Sequence, residues 1–482
     1  WDALRRRHLD TAHAFEAAEG GALHLALEHE FLQLAEDLQA LARGDGDAAE
    51  LTARVHGCGE LLSSRLVQAA LGEGWRRLDA RDVLVVQPGE MGAVVDWDAS
   101  RSKLAQWRLA QAARDVVITG FVARDADGRA TTLGRNGSDY SAAIFANLFD
   151  ADALTIWTDV DGVLSADPRL VPDAVCLDAM SYAEACELAY FGAKVLHPQT
   201  LAPVQARGVP VRIRNSRNPA APGTLIAPEG APAASPVKGL TLVRDVAVLE
   251  LVGNGLVGVP GMAERLFAAL HGAGVSVTMI SQGSSEHSIC CVVRADQAER
   301  GRAAIADAFA EAITDGLAQG VTVTHDLCVL AAVGDGMVGT QGVAARLFDG
   351  LAQARVNIRA IAQGASERNI SVAIAQDDAT RALRAAHAAF WLSPQTVSVG
   401  VIGPGHVGKA LLSQLADVLP GLKSRSGVDL RLRAIASSRR MALEDTAMDP
   451  ASAAARLREI LRRALGRRLR KRPMVDVHLL RV

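Results

Sequence analysis

The sequence predicts an α/β protein of about three domains, on three observations. Apolar β-rich runs alternate with helix-period segments between residues 81 and 215. Residues 248–293 recur without gaps at 329–374, 81 positions later. Near the C-terminus an apolar run leads into "GPGHVG" (403–408), a Gly-x-Gly-x-x-Gly turn followed by helical spacing. At 482 residues the chain is also longer than one hydrophobic core organises.

Taken in order, residues 1 to about 75 read as helices, with Leu23, Leu27, Phe31, Leu34 and Leu38 recurring at three and four. The alternating region follows: "RDVLVV" (81–86), "VVITGFV" (116–122), "SDYSAAIFANLF" (138–149), "ALTIWTDV" (153–160), "SYAEACELAYFGAKVL" (181–196) and "PVRIRN" (210–215). "PGTLIAPEGAPAASP" (222–236) reads as a linker. Each repeat copy then runs strand, glycine turn, amphipathic helix, strand, turn, strand, which predicts two tandem βαββ-type sandwiches packed sheet to sheet. A purely structural duplication is the alternative. After the glycine turn, "LRLRAIASSRRM" (430–441) is a second strand candidate. The arginine-dense stretch from 455 is a basic surface helix, a divergent helix leading to the strand "PMVDVHLL" (473–480), or a shifted frame.

Hydrophobic residues at 49%, charged residues at 22% and a formal net charge of −3 fit a soluble globular protein and select neither nucleic acid nor membrane. The arginine-dense tail has no interleaved aromatic that would favour nucleic acid. Cys58, Cys176, Cys186, Cys290, Cys291 and Cys328 show no C-x-x-C spacing, so buried free thiols in a reducing cytoplasm are expected. The first residue is Trp1 rather than Met, and the Gly-x-Gly-x-x-Gly unit has few residues behind it; both predict a chain cut at its two ends.

Three stretches carry the chemistry. In "TTLGRNGSDYSAAIFA" (131–146), Gly134 and Gly137 let backbone N–H groups approach an anion, Ser138 or Asp139 is expected to cap the next helix, and Arg135 offers a fork for a carboxylate or phosphate. In "TIWTDVDGVLSADPR" (155–169), Asp159, Asp161 and Asp167 offer hard oxygens to Mg²⁺ or ribose, and Arg169 offers charge to phosphate. In "YFGAKVLHP" (190–198), Lys194 stands in an apolar segment where an ammonium needs an anionic partner. Each also has a bland reading: a capped glycine turn, a solvated acidic turn, a snorkelling lysine. Together they describe a site for a nucleoside triphosphate and a small anionic acceptor. Neither a Walker-type loop nor the protein-kinase motif set is present.

In that order, and followed by a duplicated "AQGxSE" module, these motifs resemble aspartate kinase of the amino-acid-kinase fold. The appended "VGVIGPGHVGKALL" resembles the start of homoserine dehydrogenase, so the chain from about 55 to 440 resembles the bifunctional aspartokinase–homoserine dehydrogenases of the threonine pathway. The resemblance implies an amino-acid-kinase-like α/β sandwich, two tandem ACT domains of ferredoxin-like βαββαβ type, and the start of a Rossmann NAD(P)-binding domain. The implied divisions are a kinase domain at 1–227, a linker at 228–237, ACT domains at 238–322 and 323–394, and a partial dehydrogenase domain at 395–482.

Position by position, the resemblance implies that Glu60 holds the aspartate α-amino group, that Arg135 clamps its carboxylate, and that Asp139 opens the helix at the reaction centre. Thr158, Asp159, Asp161, Arg169 and Lys194 bind ATP with Mg²⁺; Leu164 stands where many relatives carry an aromatic near the adenine. Gln282 and Gln363 contact an amino-acid effector, threonine, with lysine as the competing choice. Gly403, Gly405, His406, Val407 and Gly408 cradle a dinucleotide, and Ser438 and Arg439, standing where an acid would favour NAD, favour NADP(H). No protein-held metal is implied, and a homodimer or homotetramer is. The family's Lys-Phe-Gly-Gly-Thr-Ser loop does not occur in the sequence, which predicts weak aspartate phosphorylation by this chain; a catalytically inactive amino-acid sensor is the alternative.

Overall fold

The computed structural model describes residues 1–482 except 16–20, 90–91, 112–114, 193–196, 231–234, 254–258, 284–287, 392–394, 404, 427, 438–440, 444–475 and 481–482. It forms two compact units. The first comprises 1–162, 178–186 and 194–230, and the second 163–177, 187–193 and 231–482.

The first unit opens with helices Asp2–His13, Ala22–Arg43 and Ala48–Leu71. The apolar stripe explains their packing: Ala12, Leu27, Phe31, Cys58 and Leu62 are buried together, with Leu23 and Leu34 partly buried against them and Leu38 left exposed. Gly44 at φ 75° ends the second helix, and the Asp47 carboxylate caps the third by accepting from Ala49 N at 2.8 Å and Glu50 N at 3.3 Å.

Short strand pairs follow. Trp75–Leu78 runs parallel to Asp115–Ile118, and Val122–Arg124 antiparallel to Ala130–Thr132. A four-stranded mixed sheet is ordered Leu154–Thr158, Val211–Asn215, Thr224–Ala227, Ala179–Ser181. The helix Gly137–Leu148 is nearly all buried and packs beside Pro198–Gln205, where Asn147 Nδ2 donates to the Pro203 carbonyl at 2.7 Å. Thr224–Ala227 corrects the linker reading of 222–236: it is an interior strand paired on both sides, with β-branched Thr224 and Ile226 buried on one face of the sheet, so only residues after 227 remain for a connection.

In the second unit each repeat copy supplies a 14-residue strand, a helix, two shorter strands and a second helix. These are Gly239–Val252, Met262–Gly272, Val277–Gln282, Ser288–Arg294 and Ala298–Ala308 in the first copy. The second has Gly320–Val333, Val343–Gln353, Ile358–Gln363, Asn369–Ala375 and Ala379–Trp391. The copies do not stack sheet to sheet as the sequence suggested. They merge edge to edge into one six-stranded antiparallel sheet, because the two long strands pair with each other from Gly239↔Val333 to Val252↔Gly320. A 14-residue strand is long enough to serve both copies: residues 246–252 also pair with 288–294, and 327–333 with 369–375.

The register breaks midway, where Asp245 and Asp326, equivalent positions of the repeat, both take φ 56°. The outermost strands approach one another, with Ser281 Oγ donating to the Ile361 carbonyl at 3.0 Å.

Further on, Gln395–Ile402 runs parallel to Val428–Ala436, joined by the helix His406–Ser426 over a small core of Val399, Val401, Leu412, Leu432 and Ile435. Asp476–Leu480 pairs antiparallel with the first of these strands, and the arginine-dense stretch before it lies outside the described residues. None of the six cysteines is in a disulfide; Cys58, Cys291 and Cys328 are buried, whereas Cys176 is exposed, against the expectation that all would be buried. Burial pushes the Cys58, Cys290 and Cys328 thiols up to about 11 and Cys291 to about 12. Among the described residues no helix is long and apolar enough to cross a membrane.

Candidate active site

The helix Gly137–Leu148 begins earlier than its sequence suggested. Asn136 takes the left-handed φ of 56° and stands at the N-cap without a side-chain cap bond, so Ser138 and Asp139 fall inside the first turn rather than capping it. That leaves the N-terminal amides without a side-chain acceptor from the cap and aimed at the spot where an anion is favoured. Gly137 is required there: a Cβ would meet Phe121 Cδ2 at 2.6 Å and Leu133 Cβ at 3.1 Å.

Gly120 sits beside the same turn. A Cβ on it would stand 3.2 Å from Ser138 Cβ and 3.3 Å from Glu60 Oε2, so the Glu60 carboxylate on helix Ala48–Leu71, the Gly120 backbone and the start of the buried helix share one small space. Phe121 follows at φ 64°, an unusual conformation for an aromatic residue. It is held by its N–H donating to Ser141 Oγ at 2.7 Å and its carbonyl accepting from Leu133 N at 2.8 Å. Asp139 is half-buried, and desolvation raises its carboxyl above the usual carboxylate range. Arg135 is exposed on the preceding turn.

In the same unit, strand Leu154–Thr158 ends in the acidic turn. Thr158 Oγ1 accepts from Val160 N and donates to its carbonyl, both at 3.1 Å; Asp159 is exposed; and Asp161 Oδ1 accepts from Asn215 Nδ2 at 2.8 Å and Asn218 Nδ2 at 3.2 Å. Half-exposed Trp157 lies under the Arg214 guanidinium, 4.9 Å from ring centroid to Cζ.

Arg169 belongs to the second unit, where its fork grips Asp167 at 2.7 and 3.0 Å; that bond is the main cause holding the guanidinium pKa above its ordinary value. So Asp167 answers Arg169 in this structure. Lys194 lies outside the described residues. Among the described residues no three His, Cys, Asp or Glu side chains converge into a metal cage.

The repeat glutamines occupy equivalent places in the second unit. Gln282 ends strand Val277–Gln282 and Gln363 ends Ile358–Gln363; both are exposed and both precede a glycine. In the glycine turn, Gly403 takes φ 82° and Gly405 N donates to the Gly403 carbonyl at 2.8 Å. A Cβ on Gly408 would stand 2.7 Å from that same carbonyl, so the turn's tightness excludes any other residue there. The helix then opens at His406 with Val407 exposed, a shape suited to a pyrophosphate; Ser438 and Arg439 lie outside the described residues.

A cavity of about 340 Å³ lies on another side of helix Ala48–Leu71, lined by Arg54, Cys58 and Arg65 rather than Glu60. Its charges close on each other, Arg54 to Asp37 at 2.8 Å, Arg65 to Glu30 at 2.7 Å and Arg81 to Asp79 at 2.7 Å.

Comparison with known proteins bears on both units. The sequence profile of the amino acid kinase family matches residues 9–215, and that of the ACT domain matches 249–309 and 330–390. The chain is 43% identical over 460 residues to the chloroplastic bifunctional aspartokinase/homoserine dehydrogenase 1 of Zea mays, covering 93% of this chain and 50% of that protein. It is 46% identical over 403 residues to the Zea mays enzyme 2, covering 82% and 44%.

The chain belongs to the bifunctional aspartokinase/homoserine dehydrogenase family.

It spans about half the length of the curated relatives it matches. Among solved structures, E. coli aspartokinase III in complex with aspartate and ADP superposes with a TM-score of 0.63 at 28% identity, covering 80% of this chain and 87% of that one. The amino-acid-kinase fold and the tandem ACT domains expected from the sequence are therefore present. Within this aspartokinase fold, the structure brings Glu60 to the start of the helix bearing Asp139, and sets Thr158, Asp159 and Asp161 at the end of one strand. Sequence reasoning passed over Gly120 and Phe121, which "VVITGFV" hid inside an apparent strand; the available signal was the glycine interrupting an apolar run.

Proposed function

We propose that the protein to which this chain belongs is an aspartate kinase, converting ATP and L-aspartate to 4-phospho-L-aspartate and ADP, fused to a homoserine dehydrogenase that reduces aspartate semialdehyde with NADPH. The observation that carries the kinase reading is the convergence of Glu60, Gly120 and Ser138 at the N-terminus of Gly137–Leu148, in a chain of the amino acid kinase family.

There a Glu60 carboxylate receives an α-ammonium, Arg135 takes a carboxylate, and the helix N-terminus favours the remaining negative charge. One oxygen of the substrate's side-chain carboxylate attacks the γ-phosphorus, and ADP leaves. The protein's part is to position the two anions and offset their charge. Asp139 stands at the reaction centre. Thr158, Asp159 and Asp161, with Arg169 and Lys194, are assigned to Mg²⁺-ATP. Gln282 and Gln363 are assigned to a threonine effector, which regulates by preferring one global state. Gly403, Gly405, His406, Val407 and Gly408, with Ser438 and Arg439, are assigned to NADP(H), whose nicotinamide supplies the hydride. The domain divisions given from the sequence, a homo-oligomeric state and a cytoplasmic location consistent with free thiols complete the reading.

Titration calorimetry tests it on binding alone. L-aspartate is expected to bind the unsubstituted chain and to be lost with Glu60→Gln. Threonine is expected to bind saturably, with lysine as control, and to be lost with Gln282→Ala or Gln363→Ala. Aspartate affinity unchanged by Glu60→Gln would sink the substrate assignment; lysine binding in place of threonine would reassign the effector.

A further inference from the structure

Strands Leu154–Thr158 and Val211–Asn215 are parallel neighbours, with Trp157 opposite Arg214 and Thr158 opposite Asn215. Both therefore leave the sheet at the same carboxyl end, the end where open α/β sheets take their ligands. Beyond it, the loop after the second strand closes on the turn after the first. Ser216 N donates to the Thr158 carbonyl at 2.9 Å, and the Ser216 hydroxyl to the same oxygen at 3.0 Å. Asn215 Oδ1 accepts from Arg217 N at 2.8 Å, which fixes the orientation of that amide and turns its Nδ2 toward Asp161. Asn218 reaches the same Asp161 oxygen from three residues on.

We propose that Asn215 and Asn218 are positioning residues of the nucleotide site: their two amide donors hold the Asp161 carboxylate in one orientation for a magnesium nucleotide. The inference rests on the reading of 158–161 as the nucleotide turn. The choice of amides is chemically apt. A carboxylate on an exposed turn has two loose torsions whose freezing weakens any ligand it holds, and two hydrogen bonds set them in advance. An arginine or lysine in the same place would orient the carboxylate but cancel its charge. An amide orients it without bringing a positive charge of its own.

The test is calorimetric titration of the full 482-residue chain with the Mg²⁺ complex of a non-hydrolysable ATP analogue. Asn215→Ala is expected to weaken binding about tenfold, the low end for an outer-shell partner of a ligating carboxylate. Asn218→Ala, whose bond is longer, is expected to cost less. Asn215→Asp keeps the shape but sets an acceptor against an acceptor, and is expected to cost at least as much as Asn215→Ala. In an Asp161→Ala background the asparagine substitutions are expected to cost nothing further, a coupling that a merely structural role would not produce.

L-aspartate titration and thermal unfolding of the same variants check that the fold is kept. Nucleotide affinity unchanged by both asparagine substitutions overturns the proposal, and so do costs that add in full to that of Asp161→Ala, since the asparagines would then act independently of Asp161. If Asp161→Ala itself leaves nucleotide affinity unchanged, or the unsubstituted chain binds no nucleotide, the reading of the turn falls and the proposal with it.

Discussion

Replacing Gly137 with alanine sets two effects of opposite sign against each other. Glycine within a helix costs up to ~1 kcal/mol relative to alanine, so propensity alone favours the substitution, though less in a first turn. Against this, the new Cβ would lie 2.6 Å from Phe121 Cδ2 and 3.1 Å from Leu133 Cβ, well inside ordinary carbon contact. The ring cannot simply swing away, because the Phe121 backbone is held at φ 64° by bonds to Ser141 Oγ and Leu133 N, and the ring packs on the buried cluster that includes Leu133, Tyr140 and Ile144. Overpacking of a filled site costs about 1–3 kcal/mol, so Gly137→Ala is expected to be destabilising by roughly 1–2 kcal/mol net. Urea unfolding measures it as a lowered midpoint with unchanged slope. Since Gly120 and Phe121 are consecutive and Gly120 adjoins Glu60 and Ser138, L-aspartate affinity should fall in the same variant. A Gly137→Ala chain as stable as the unsubstituted one would refute the claim that this contact sets the turn.

Leu240→Ala and Leu347→Ala remove buried side chains from the same cluster, although Leu240 lies in the first long strand and Leu347 in the second repeat copy. Each is expected to cost about 2–5 kcal/mol, and both should lower the same unfolding transition of the second unit. His387 is buried, 2.9 Å from Ser165 Oγ and stacked on Trp391; desolvation holds its pKa down at about 4, with Asp173 opposing and Arg431 reinforcing. A depressed folded-state value means that the unfolded chain takes the proton first, so stability is full above about 6.5 and is lost as pH falls toward 4. His387→Gln should flatten that part of the stability profile; an unchanged slope would show that His387 is not its source. Maleimide at neutral pH should modify Cys176 ahead of the buried Cys58, Cys291 and Cys328, read by peptide mass spectrometry; simultaneous labelling would contradict the burial described.

Much of this was legible from the sequence, for identifiable reasons. The repeat could be aligned without gaps because its elements keep a strict offset: strand Val277–Gln282 and Ile358–Gln363, helix Met262–Gly272 and Val343–Gln353, all lie 81 positions apart. The helix at 137–148 was legible because glycines, an acidic first turn and an apolar run coincide there. Packing partners were not legible. Alternation of apolar residues states which face of a strand is buried but not whether two sheets stack or join at their edges, and the edge pairing of Gly239–Val252 with Gly320–Val333 depends on strand length, which the turn signals did not mark. Phe121 was hidden for a related reason. Its left-handed φ is imposed by Ser141 and Leu133, twenty and twelve residues away, and no local propensity encodes it.

The edge pairing has a regulatory consequence. In two stacked sandwiches each core would belong to one copy, and a ligand on one could leave the other untouched. Here the first strand contributes Leu249 and Leu251 to a cluster with Leu266 and Leu270 of its own copy, and Leu240 to a cluster with Leu347, Leu351 and Leu383 of the other. The second long strand answers by packing Val321 and Val323 against the first copy's cluster. Each core is thus completed by the neighbouring copy's strand. Because close-packed interiors pass strain on rather than absorb it, a shift of one copy's strands displaces side chains that fill the other's core. An effector seated at Gln282 or at Gln363 would therefore act on both copies together, and substitutions at the two positions are expected to be non-additive in effector binding.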